Sequence, residues 1–92
     1  MSEVVKILGN NLAEILDKPS KASRGLIRLA FKDAGLKEDL DKNKVSLEKT
    51  LEVLNGSLKK RLETIKVEEP EEIVGELSNI INKYQSIFTM SK

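Results

Sequence analysis

The chain has no cysteine, no histidine and no tryptophan among its 92 residues, and its aromatic content is one tyrosine and two phenylalanines. Without cysteine there is no disulfide framework, no thiolate nucleophile and no cysteine metal site. Without histidine the commonest general base and the commonest transition-metal ligand are both missing. Long apolar runs are absent too. Stretches such as "LAF" and "II" fall far short of the roughly 20 apolar residues that a membrane-spanning helix needs. The opening "MSEVVKILGNN" lacks a basic start followed by a continuous apolar core, so it does not read as a secretory signal. A cytoplasmic location with no membrane partner is the expectation.

Charge of one sign is also lacking. Sixteen basic residues stand against fifteen acidic ones, for a formal charge of +1. Generic nucleic-acid-binding domains are often far more basic, so any polyanion site here has to be a local patch. No Gly-rich phosphate loop, no Ser elbow and no recognisable nucleophile–base pair occurs. The chain therefore reads as non-enzymatic, with no cofactor and no metal. The acids Glu68, Glu69, Glu71 and Glu72 do not have the spacing of an EF-hand loop. They suit the positive end of a helix dipole.

What is present is helical periodicity. Residues 1–92 read as a single helical domain, all-α, built as a small bundle of three to four helices. Val4, Leu8, Leu12, Ile15 and Leu16 recur at three- and four-residue steps, predicting helix 1 from Ser2 or Glu3 to Asp17. Asn11 falls in that ladder, either as an edge position that reaches water or as a buried polar residue that fixes register. Pro19 pushes Lys18 toward an extended conformation and ends the helix.

Helix 2 is predicted from Ser20 or Lys21 to Ala34, with Gly35 as its stop. Ala22, Leu26, Ile27, Ala30 and Ala34 share a broad apolar face flanked by Leu29 and Phe31. Gly35–Lys44 reads as a connection with a helical turn, anchored by Leu36 and Leu40. Helix 3 carries Leu47, Leu51, Leu54, Leu58, Leu62 and Ile65, close to a heptad seam. Asn55-Gly56 is a turn signal within it. Leu54 and Leu58 nevertheless keep helical phase across the break, which favours one helix with a weak point at Gly56. "ETIKV" is rich in β-branched residues but has no partner strand, and stays in helix or loop. Helix 4 opens at Pro70 and carries Ile73, Val74, Leu77, Ile80, Ile81, Tyr84 and Phe88. Helices 3 and 4 are expected to form an antiparallel hairpin joined near "VEEP", with helices 1 and 2 across one side.

Two functional readings follow. The first is a protein–protein interaction or regulatory module acting through helix faces. The length of the leucine seam favours self-association as a homodimer. Its candidate contact residues are Leu58, Leu62, Phe88 and Met90, the last two in an apolar "SIFTM" segment that reads either as an anchor for a partner's groove or as a last turn packing on the domain's own core. The second is a small nucleic-acid-binding protein. Lys21, Arg24, Arg28 and Lys32 lie within about 80° of arc on helix 2, and cations so spaced can contact successive phosphates. Helices 1 and 2 with "DKPS" give a helix-turn-helix outline, but Lys18 and Ser23 stand where buried apolar residues belong. The same stripe also reads as a solvated face, with "EEPEE" as internal counter-charge, or as a site for an acidic protein partner. "KKR", Lys59–Arg61, is a second basic cluster open to the same readings.

Overall fold

The computed structural model describes residues 3–85 and Phe88. Ser2, expected as a helix cap, and Met90 lie outside the described residues. The elements are α1 (Glu3–Leu16), α2 (Ser20–Asp33), the short α3 (Lys37–Asp41), α4 (Leu47–Val53), a π-helical turn (Leu54–Leu58), α5 (Lys59–Thr64) and α6 (Pro70–Lys83). The described residues contain no strand, and "ETIKV" is the end of α5 running into a turn.

α4, the π turn and α5 follow one another without a break, so the helix passes through Gly56. Gly56 has no side chain to favour the α-helical turn, and the chain takes up one extra residue per turn there. Leu54 and Leu58, on either side, are both fully buried, which is why the phase of the seam survives. Ser46 caps the start of α4: its Oγ accepts the Lys49 N–H at 3.1 Å.

Four helix ends close in the same way. Asp17, Gly35, Asn43 and Lys66 each adopt the left-handed conformation. In each case the following N–H donates to the carbonyl five residues back: Lys18 to Ala13 (3.0 Å), Leu36 to Phe31 (2.9 Å), Lys44 to Asp39 (2.8 Å) and Val67 to Leu62 (3.0 Å). These bonds satisfy carbonyls that a helix end otherwise leaves open. At the start of α6, Pro70 takes the first turn, where its missing N–H costs nothing.

The core is made where the helices cross. α1 lies along α2 and also touches α6, while α2 and α6 both meet the π turn; α6 also reaches α4 and α5. Val5, Leu8 and Leu12 of α1 meet Ile27, Ala30 and Phe31 of α2, Leu54, Leu58 and Leu62 of the long helix, and Val74, Leu77 and Ile81 of α6 in one apolar cluster. Leu40 of α3 is also buried, with Leu36 half-buried beside it, so both expected anchors hold the connection down. The fold is compact, with a radius of gyration of 11.9 Å. No helix among the described residues is long and apolar enough to cross a membrane.

Asn11 takes the edge position. It is half-buried, and its side-chain amide donates to the Ile7 carbonyl one turn back at 2.7 Å. That bond stays within α1 and fixes no register with another helix.

Candidate functional site

α2 is turned relative to the face expected from its sequence. Ser23, Ile27, Ala30 and Phe31 are buried, whereas Ala22 and Ala34 are exposed and Leu26 is half-buried. The reason is area: removing the Phe31 ring from water gains far more than removing two methyl groups. Turning Phe31 inward leaves Leu26 and Leu29 at the edge of the core, with Leu29 42% exposed.

Leu26 faces a groove of about 760 Å³ between α2 and the long helix. Leu26 and Asp33 form one wall, and Gly56, Ser57, Lys60, Arg61, Thr64 and Ile65 form the other. Two interactions tie the walls together. The Ser57 Oγ donates to the Ala30 carbonyl at 2.6 Å. The Arg61 guanidinium grips Asp33 with both prongs, Nη2 to Oδ1 at 3.0 Å and a shorter bond from Nε to Oδ2. That hydrogen bonding, together with the charges of Arg61 and Lys32, holds the Asp33 carboxyl below its usual range. The pair therefore stays ionised into acid. Ser57→Ala is expected to lower the unfolding free energy by about 1 kcal/mol, measured by urea denaturation. The cost stays modest because the Ala30 carbonyl keeps the Ala34 N–H at 3.2 Å.

The basic stripe divides into two parts. Arg24 is half-buried where α2 crosses α1, its stem packed over buried Gly9. Lys21, Arg28 and Lys32 are exposed and make no ion pair among the described residues. The acids of "EEPEE" do not serve as their counter-charge: Glu71 pairs with Lys59 at 3.2 Å. Glu72 instead feels its own neighbours. A hydrogen bond with Glu69, then the Glu69 charge, raises its carboxyl above the ordinary range. In "KKR", Lys59 and Arg61 are thus paired, and Lys60 is left on the groove wall.

The leucines expected to touch a partner lie inside. Leu58 and Leu62 have no exposed surface, and Leu54 shares their position. The seam is consumed by α1, α2 and α6 of the same chain, because a helix of this amphipathicity buries its stripe on whatever helices are at hand. Phe88 is half-buried against the same core. Among the described residues, the large apolar side chains left exposed are Leu29, Ile65 (49% exposed) and Tyr84 (44% exposed). Ile65, counted in the leucine seam by its spacing, is the one that reaches the groove. Its position just past the end of α5 turns it away from the core. No His/Cys/Asp/Glu cluster that could hold a metal ion occurs among the described residues.

No protein-family model matches the chain, and no curated protein or solved structure shows significant similarity to it.

Proposed function

We propose that the chain is a non-enzymatic protein-interaction module of the cytoplasm, docking a partner segment in the groove between α2 and α5. The observation that carries this reading is the apolar surface left at the groove. Leu26 and Ile65 line it and Leu29 stands beside Leu26, although the core closes fully around Leu54, Leu58 and Leu62. The reading takes the long helix and α6 as the arms of an antiparallel hairpin, with α1 and α2 laid across one side. Self-association through the leucine seam loses its reason, since the seam is already covered.

The test is selection of a displayed library of 18-residue helices with apolar residues at three- and four-residue spacing. Enriched peptides are expected to bind the wild-type chain and to lose at least tenfold in affinity to Ile65→Asp. Tyr84→Asp, which changes an exposed side chain just past the end of α6 that does not line the groove, is expected to leave binding unchanged. A library that yields no binders, or binders indifferent to Ile65→Asp, overturns the proposal.

The second reading is nucleic-acid binding by Lys21, Arg24, Arg28 and Lys32. It is supported by the absence of internal ion pairs at Lys21, Arg28 and Lys32. Anisotropy titrations of labelled duplex and single strands between about 50 and 200 mM salt decide it, because phosphate contacts lose affinity steeply over that range. The Lys21→Ala, Arg28→Ala, Lys32→Ala triple variant would flatten the slope.

A further inference from the structure

The charges around the groove describe what fits it. α2 and α5 carry seven cations against two acids, Asp33 and Glu63, in a chain with a formal charge of only +1. Arg61 and Asp33 hold each other, Lys59 is held by Glu71 and Arg24 lies at the crossing with α1, so the cations that count here are Lys21, Arg28, Lys32 and Lys60. Around α2, at 100° per residue, Leu26 is followed by Leu29 and then by Lys32, Lys21 and Arg28. On the opposite wall stands Lys60. The apolar strip is therefore bordered by cations on both sides.

The second wall is lined between Gly56 and Ile65, nine helical steps or about 14 Å. That length takes two to three turns of a docked helix, enough for anchors at i, i+3 or i+4, and i+7. Gly56, Ser57 and Thr64 are small, and no atom of another helix lies within 4 Å of the position a Gly56 Cβ would take. A helix can approach that wall closely.

We infer that the occupant is an amphipathic helix of a partner protein, with apolar anchors on one face and Asp or Glu along its flanks. This rests on the docking reading above and names the chemistry of the partner. A second copy fits poorly, because two-fold pairing of this face sets like charges against one another. Nucleic acid would satisfy the cations but would leave Leu26, Leu29 and Ile65 without apolar contact. Among the described residues, no aromatic side chain lines the groove to stack a base.

The experiment is the same displayed library, with the non-anchor positions drawn evenly from Glu, Lys, Gln and Ser. Peptides enriched on the wild-type chain are expected to be acidic at those positions. Replacing their Glu by Gln is expected to weaken binding at least tenfold at 50 mM salt. The Lys32→Glu, Lys60→Glu variant is expected to reject them, and Ile65→Asp to lose them as well. Neutral or basic peptides that still depend on Ile65 would overturn the acidic partner while leaving the groove as a docking site. An absence of peptides that depend on Ile65 would overturn both. Displacement of bound acidic peptide by a duplex oligonucleotide, with tighter binding of the duplex itself, would assign the cations to nucleic acid and overturn the inference.

Discussion

Gly9→Ala is expected to destabilise the fold by about 1–3 kcal/mol, the range for overpacking a closed interface. Gly9 is buried in α1 where α2 crosses it. A Cβ there would meet the Cγ of Arg24, and would lie 2.8 Å from the Arg24 Cα and 3.0 Å from its Cβ. The Cγ could swing away, but the Cα is backbone, so the two helices would have to move apart. That shift would loosen Leu8 and Leu12 of α1, both fully buried. The helix-propensity gain from Gly to Ala, about 1 kcal/mol, works the other way and makes any net loss a measure of the clash. Gly56→Ala and Gly75→Ala are the internal controls. No atom of another helix lies within 4 Å of a Cβ at either position, so each is expected to stabilise by about 0.5–1 kcal/mol. Chemical denaturation of the three variants separates steric from conformational effects. A Gly9→Ala protein as stable as those controls would show that the helices do not cross so closely.

The helices themselves were legible because their signals are local. Pro19, Gly35 and Pro70 punctuate the chain where elements end or begin, and the apolar spacing of α1 and α6 marks faces of which Val4, Leu8, Leu12, Ile73, Val74, Leu77 and Ile81 are buried. Tyr84, counted in the last face, is exposed past the end of α6. The left-handed ends at Asp17, Asn43 and Lys66 were not legible. They use no glycine, and the surrounding fold sets them in place of the residue type. The groove was hidden for a related reason. Periodicity gives the direction of an apolar face but not which half of a wide arc a neighbour covers. On α2 that choice was made by Phe31, and it left Leu26 at the edge of the core and Leu29 exposed. Likewise the Asp33–Arg61 pair joins residues 28 apart, a distance no helical spacing rule spans. Arg24 looked equivalent to Arg28 by angle alone; only the crossing at Gly9 separates them.

The largest single-residue effect is expected at Leu58, and it decides whether the leucine seam is core or contact surface. Leu58→Ala removes a fully buried side chain at the π turn, where α2 and α6 both meet the long helix. Buried Leu→Ala changes cost about 2–5 kcal/mol, the spread depending on how far the site can collapse. Collapse is limited here because helices press on the turn from two directions, which places the expected loss in the upper part of that range. Ile65→Ala, only seven residues further along the same seam, is expected to cost less than about 1 kcal/mol, because half of its surface already faces water. Spacing alone makes the two residues equivalent; burial makes them opposite. If Leu58→Ala and Ile65→Ala cost the same in urea unfolding, the seam is not buried within one chain. A large loss for Leu58 with almost none for Ile65 shows that the seam is core at Leu58 and surface at Ile65, so that Ile65→Asp can test the docking reading without unfolding the protein.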